Sequence, residues 1–142
     1  MTTFIDTSVL IPLISEDSEH HQWCRDQVEA ASPPLVVSDI VYAELSVGLD
    51  TKEEVDAVIE SFSFSRSSYS DEVLFRAGKA FLAYKNNDGP KDSLLPDFLI
   101  GALAEVEGEP LLTRDTGKVG TYFPTVTLGH IPINRIPKRL EF

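Results

Sequence analysis

Short apolar runs alternate along this chain with longer amphipathic segments, and this alternation most constrains the fold. Strands are predicted at residues 3–5, 35–37, 62–64, 111–113 and 125–128. Helices are predicted at residues 16–31, 39–49, 51–61 and 70–86, with a further helix opening at Pro96. Strands separated by helices are typical of a parallel sheet that is covered by helices on its faces. The sequence therefore predicts an α/β domain.

Length and composition limit the classes of protein that this chain can belong to. A length of 142 residues suits one domain, which we expect to cover residues 1–142. A hydrophobic content of 42% with 25% charged residues excludes wholesale disorder. The net charge of −11 excludes a surface that is basic throughout. From Arg114 onward, however, five bases face only two acids, so the end of the chain is predicted to be basic.

Cysteine content and the first residues bear on the compartment. Cys24 is the single cysteine, so no intrachain disulfide is possible and a cytoplasmic location is expected. Residues 1–15 are apolar but contain Asp6 and lack a positively charged start. We interpret them as a core strand and a turn rather than as a signal peptide. No apolar run is long enough to span a membrane.

Two aspartates follow predicted strands. Asp6 ends the first strand and Asp115 comes just after the fourth. Because ligands of open parallel sheets bind beyond the carboxyl ends of the strands, both carboxylates are candidates for a site there. A helix N-cap is the alternative role for each of them.

Glu44 is predicted to lie on an apolar face of a helix. Its neighbours three or four positions away are apolar, namely Ile40, Val41 and Val47. A carboxylate in such a place must be neutralised, paired or bound to a metal. The alternative is a structural ion pair of Glu44 with Arg66 or Arg114.

Asp97 directly follows Pro96 at the start of a predicted helix. It lies roughly opposite the core residue Leu99, on a face that it shares with Gly101 and Ala104. We expect these small residues to leave room for a ligand. A favourable acid in the first helical turn is the alternative interpretation.

These four acids together suggest a hard-cation site. Carboxylates without an accompanying histidine or cysteine cluster suit Mg²⁺ or Mn²⁺ better than zinc. Such an ion can activate water for attack on a phosphodiester. His20, His21 and Cys24 also invite a zinc site, but a closed site needs about four ligands, so a surface helix is the preferred interpretation. Trp23 in the same segment is interpreted either as core or as a partner contact.

Four segments then carry a family resemblance, in order and spacing. They are residues 4–10 (FIDTSVL), 42–45 (YAEL), 95–102 (LPDFLIGA) and 112–115 (LTRD), the last followed by YFP at 122–124. With them the sequence resembles the PIN (PilT N-terminus) domain, specifically the VapC-type toxin ribonucleases. The resemblance implies a Rossmann-like three-layer α/β/α sandwich with a central parallel sheet.

The resemblance also implies a site and partners. Asp6, Glu44, Asp97 and Asp115 would form a quartet that binds Mg²⁺ or Mn²⁺ and cleaves RNA, with Glu44 either holding the ion or orienting water. Thr7 or Ser8, together with Thr113, would be supporting polar residues. A homodimer and a small antitoxin are the implied partners, and the acidic helices at 16–31 and 51–61 would suit a basic antitoxin segment.

Alternatives are a stand-alone PIN nuclease and a PIN fold that only scaffolds RNA or protein. Other acid-based sites fit less well. A von Willebrand-type adhesion site needs a hydroxyl where Leu10 stands, and a haloacid-dehalogenase-type phosphatase needs an aspartate in place of Ser8. A Walker nucleotide motif is missing from the sequence.

Overall fold

The structure, a computed structural model, describes residues 2–87 and 93–129. In these ranges four strands form one parallel sheet in the order β3-β2-β1-β4. The strands are β1 (Thr3–Ile5), β2 (Leu35–Ser38), β3 (Ser65–Ser67) and β4 (Leu111–Leu112). Because all of them are parallel, their carboxyl ends meet at one edge of the sheet.

Helices connect the strands and flank the sheet. They are α1 (Thr7–Ile14), α2 (His21–Ala30), α3 (Asp39–Gly48), α4 (Lys52–Ser61), α5 (Asp71–Asn86), α6 (Leu99–Glu107) and α7 (Thr116–Tyr122). A 3₁₀ helix, Leu95–Phe98, leads into α6. The predicted three-layer α/β/α sandwich is confirmed. Residues 51–54 (TKEE) match the capping-box pattern, and its N-cap half forms, since Thr51 Oγ1 accepts a hydrogen bond of 3.1 Å from the backbone N–H of Glu54. Glu54 Oε1 accepts the hydroxyl of Thr51 over 3.2 Å rather than its backbone N–H.

β1 and its neighbour β4 are buried on both faces. Ile5, Leu111 and Leu112 have no exposed surface. Apolar side chains on both faces are what a parallel sheet between two helical layers requires. Their burial fixes β1 and β4 side by side, so the residues that follow them are held on a rigid base.

Two strand predictions are wrong. The predicted strand at residues 62–64 is a turn that follows α4, in which Ser63 has a φ of 55°. Phe62 and Phe64 stack there with their ring centroids 5.4 Å apart. The alternating pattern therefore reflects two apolar side chains that pack within a turn, not a strand. The true edge strand β3 is polar and carries no such pattern. The prediction at 125–128 is reduced to one parallel bridge between Leu111 and Leu128.

The helix predictions also need correction. The predicted turn after β1 is the helix α1. Pro12 lies inside this helix, where a proline is unfavourable, and the buried face of the helix includes Val9, Leu10 and Leu13. The helix predicted from residue 16 begins only at His21, and α7 was not predicted. The predicted loop at 86–90 lies partly outside the described residues, and so does the segment from Arg114 onward that was predicted to be basic.

A membrane span was not expected from the sequence. Across residues 2–87 and 93–129, none of the helices combines the length and apolarity that crossing a bilayer requires.

Candidate active site

The strand order reverses between β1 and β4, and this point organises the site. From β1 the chain moves outward through β2 to β3, and then crosses to β4 on the other side of β1. Such a switch point opens a crevice at the carboxyl ends of these two adjacent strands. Asp6 follows β1 directly and Thr113 follows β4 directly. Thr113 Oγ1 donates a hydrogen bond of 2.8 Å to Asp6 Oδ2 across the crevice.

Three donors fix the half-buried carboxylate of Asp6. Its Oδ1 accepts the backbone N–H of Thr7 over 2.8 Å, so Asp6 is the N-cap of α1, as the alternative interpretation proposed. Its Oδ2 accepts the hydroxyl of Ser8 over 2.9 Å in addition to that of Thr113. A carboxylate has about four lone-pair sites, so Asp6 can cap the helix and still accept one more partner.

The same hydroxyls position the loop that carries Asp115. Thr113 is only 2% exposed, and its Oγ1 accepts the backbone N–H of Asp115 over 3.0 Å. Ser8 Oγ accepts the backbone N–H of Arg114, also over 3.0 Å. Asp115 precedes α7, but its side chain makes no capping hydrogen bond. The exposed carboxylate of Asp115 is therefore not occupied by helix capping.

Glu44 reaches the site from α3. Its Oε1 accepts the hydroxyl of the buried Thr7 over 2.7 Å. Although the side chain as a whole is exposed, desolvation of the carboxylate raises the pKa of Glu44. The hydrogen bond from Thr7 opposes this rise, and the negative charges of Asp6 and Asp97 add to it. Glu44 thus shares one electrostatic environment with both aspartates.

The predicted surroundings of Glu44 are partly wrong. Val41 is buried as expected, but Val47 is 90% exposed, so Glu44 lies at the margin of the apolar face. Arg66 does not pair with it, because Arg66 Nη2 binds Asp39 Oδ1 over 2.6 Å.

Asp97 lies in the 3₁₀ helix before α6. Its Oδ2 accepts the backbone N–H of Leu94 over 2.7 Å, which closes the turn and supports the structural alternative as well. The prediction that Gly101 leaves room for a ligand is wrong. A Cβ on Gly101 would lie 2.4 Å from the ring of Phe123, which fills this space.

Lys118 joins the site and was missed by the sequence reasoning. Its Nζ lies 3.4 Å from Asp115 Oδ2 and 4.0 Å from Asp97 Oδ2. The spacing of three residues between Asp115 and Lys118 is the helical signal that could have revealed it. It went unrecognised because α7 itself was not predicted.

The four acids are brought to one end of the sheet, but as separate groups. Among the residues that the structure describes, no three Asp, Glu, His or Cys side chains already form a cluster able to hold a metal. The donor set nevertheless fits Mg²⁺ or Mn²⁺, because it offers hard carboxylate oxygens.

The residues once considered for zinc have structural roles. His21 Nδ1 lies 3.0 Å from the carbonyl oxygen of Pro12. Cys24 is buried, and its burial raises the pKa of the thiol to about 11. Trp23 packs against the core. His130 lies outside the described residues.

Comparison with known proteins agrees with this geometry. The family model described as PIN domain matches residues 3–119. The chain belongs to the PIN domain family. The match of this PIN domain begins with β1 and ends within α7, so it includes all four acids. No curated protein matches the sequence.

Solved structures resemble this PIN domain over most of its length. A toxin-antitoxin complex from Klebsiella pneumoniae contains a chain with 26% identity and a TM-score of 0.67; the match covers 88% of this chain and 95% of that chain. A chain of VapBC-1 from nontypeable Haemophilus influenzae has 21% identity and a TM-score of 0.66, and the match covers 90% of this chain and 96% of that chain. The Sarcin-Ricin loop cleaving toxin VapC20 of Mycobacterium tuberculosis has 15% identity and a TM-score of 0.67, and the match covers 88% of this chain and 98% of that chain. The last two show a shared fold.

Proposed function

We propose that this PIN domain is a metal-dependent endoribonuclease and the toxin of a type II toxin–antitoxin pair. The observation that carries the proposal is the placement of Asp6, Glu44, Asp97 and Asp115 around the switch point of the sheet. The resemblance, at 26% identity, to a chain of a toxin-antitoxin complex from Klebsiella pneumoniae supports the biological role.

Each acid has a role in this proposal. Asp6, Asp97 and Asp115 would hold Mg²⁺ or Mn²⁺, and Glu44 would either hold the ion or orient the attacking water. The bound ion would lower the pKa of water and offset charge on the phosphodiester. Thr113, Ser8 and Thr7 keep Asp6 and Glu44 in place through the hydrogen bonds described above.

In this proposal the RNA substrate approaches a protein whose net charge is −11. Arg114 is exposed next to Asp115 and offers one positive charge beside the site. Arg135, Lys138 and Arg139 were predicted to extend this basic surface, and they lie outside the described residues. Acidic surface elsewhere would repel misplaced phosphates, so charge favours contact at the site.

Cleavage assays with matched RNA and DNA oligonucleotides test the activity. We expect RNA to be cut in Mg²⁺ or Mn²⁺, leaving 5′-phosphate and 3′-hydroxyl ends, and excess EDTA to stop the reaction. Cleavage of equal rate in EDTA would contradict a metal-dependent mechanism. A folded protein that binds RNA without cutting it would instead favour the scaffold alternative.

A groove between α2 and α4 supports an antitoxin partner. Its lining includes the apolar Leu13, Val28 and Phe62. Glu16, Glu29 and Arg25 also line it, and Arg25 Nε pairs with Glu29 Oε1 over 3.1 Å. Apolar side chains with a small excess of acids suit an amphipathic segment that carries basic residues. We expect Glu16→Lys, at an exposed position of this lining, to weaken copurification with the product of an adjacent small gene, while RNA cleavage by the free protein persists. A stand-alone nuclease would have no such partner.

A homodimer in the cytoplasm completes the proposal. Exposed apolar side chains on α5 support a second copy: Leu74 is 45%, Phe75 66% and Leu82 49% exposed. Light scattering during size-exclusion chromatography should give twice the chain mass, and Phe75→Glu should reduce it to one chain. The single cysteine, Cys24, is consistent with a reducing compartment.

A further inference from the structure

Lys118 places a positive charge among the acids of the candidate site. Its Nζ lies 3.4 Å from Asp115 Oδ2 and 4.0 Å from Asp97 Oδ2, so one ammonium group links two carboxylates from different segments. The side chain is only 22% exposed, so solvent screens this charge incompletely. These two acids are therefore partly neutralised by the protein itself.

The core holds Lys118 in this position. Its Nζ lies 5.8 Å from the centroid of the Phe98 ring, and Phe98 has no exposed surface. Phe98 directly follows Asp97 in the chain, and the buried Val119 directly follows Lys118. Both partners of the ion pair are thus anchored by buried neighbours, which makes the contact a property of the fold rather than of two mobile side chains.

We propose that Lys118 is a positioning residue that competes with the divalent ion for Asp97 and Asp115. In the metal-free protein its ammonium group takes the place of a cation between these carboxylates. A divalent ion then binds against the repulsion of Lys118 and must share or displace its contacts. This inference rests on the proposed function, because it concerns the same carboxylates.

Isothermal titration calorimetry with Mn²⁺ alone tests the competition. Lys118→Met keeps most of the side-chain volume over Phe98 and removes the charge. We expect Lys118→Met to lower the Kd for Mn²⁺ about tenfold, as estimated from one unit charge at about 4 Å. Lys118→Arg keeps the charge and should stay within about threefold of the wild type.

Lys79→Met is the matched control. Lys79 Nζ lies 5.2 Å from the centroid of the Phe75 ring, as Lys118 lies over Phe98. Within the described part of the chain, no carboxylate forms an ion pair with Lys79. This variant removes the same charge from the protein but should leave the Kd for Mn²⁺ unchanged. Equal tightening in both lysine variants would mean that net charge, not the position of Lys118, sets the affinity, and would overturn the inference.

Thermal unfolding separates competition from a purely structural role. In EDTA, Lys118→Met should unfold at a lower temperature than the wild type, because Asp97 and Asp115 lose their shared partner. Saturating Mn²⁺ should then raise its Tm by more than it raises that of the wild type. A lower Tm with an unchanged Mn²⁺ affinity would show that Lys118 only stabilises the fold, and the inference would be wrong.

The same titrations distinguish this inference from the proposed function. If the wild type and Lys118→Met bind Mn²⁺ equally well, or if neither binds it, the inference about Lys118 fails. Tighter binding by Lys118→Met supports the inference even if no RNA is cut, and in that case only the nuclease function fails.

Discussion

Thr113 donates its hydroxyl hydrogen to Asp6 over 2.8 Å, although 107 positions separate the two residues in the chain. The bond joins the ends of β1 and β4 at the point where the strand order reverses. The same oxygen of Thr113 accepts the backbone N–H of Asp115. One buried hydroxyl thus fixes two of the four acids relative to each other.

Replacing that hydroxyl should damage the site more than the fold. Thr113→Val removes one donor to Asp6 and leaves the N–H of Asp115 without its acceptor. We expect a loss of about 1–3 kcal/mol in the free energy of unfolding, by urea titration. Loss of an outer partner of the acids should lower RNA cleavage about 10–100-fold. Thr113→Ser retains the hydroxyl, and an equal loss of activity in this variant would contradict the explanation.

Glu44→Gln separates stability from activity. Repulsion from Asp6 and Asp97 and desolvation both disfavour the charged form of Glu44, whereas a neutral amide oxygen can still accept the hydroxyl of Thr7. In EDTA the variant should therefore have a Tm equal to or above that of the wild type. Its RNA cleavage should fall at least about 100-fold. A lower Tm in EDTA would show that the charge of Glu44 stabilises the metal-free protein, against this account.

Two glycines in helices should respond to alanine in opposite ways. Gly101→Ala forces a Cβ to within 2.4 Å of the Phe123 ring and should destabilise the protein by about 1–3 kcal/mol. Gly78→Ala in α5 meets no atom within 4 Å and should stabilise it by about 0.5–1 kcal/mol. Chemical denaturation measures both changes. Equal stabilisation by the two variants would disprove the close packing at Gly101.

Tyr69 should titrate unusually late. Burial raises its pKa from 10.0 to about 12, although the hydrogen bond to Ser38 opposes the rise. The stability that this neutral phenol supplies is complete below pH 10 and is lost as pH rises toward the folded value of about 12. The wild type should therefore lose more stability than Tyr69→Phe between about pH 10 and 12, by thermal melts. Parallel losses in both proteins would contradict the burial of the phenol.

The sequence predicted what burial and capping dictate. The runs that became β1, β2 and β4 are apolar because they lie between two helical layers, and the Thr51 cap is encoded within four residues. It could not predict β3, whose exposed polar residues pair through the backbone alone. The helix α1, which contains Pro12, was not predicted, although a helix N-cap was one of the two roles considered for Asp6.

Within the site, residue types were easier to predict than contacts. Carboxylates after strands pointed to Asp6 and Asp115 because parallel topology gathers strand ends. The contact of Lys118 with Asp97 depends on how α7 packs against the segment before α6, which no local pattern records. The space beside Gly101 was also misjudged, because Phe123 is distant in sequence and fills it.

The central claim is that acids gathered at the end of the sheet cleave RNA with a bound metal ion. The most direct measurement is the single-turnover rate of RNA cleavage in Mn²⁺ by the wild type, Asp6→Asn and Asp26→Asn. Asp26 is a half-buried acid on α2 that accepts a hydrogen bond of 2.8 Å from Gln22 and serves as the control. We predict at least a 100-fold loss (about 2.7 kcal/mol or more) for Asp6→Asn and none for Asp26→Asn. Equal rates for the wild type and a folded Asp6→Asn would contradict the account.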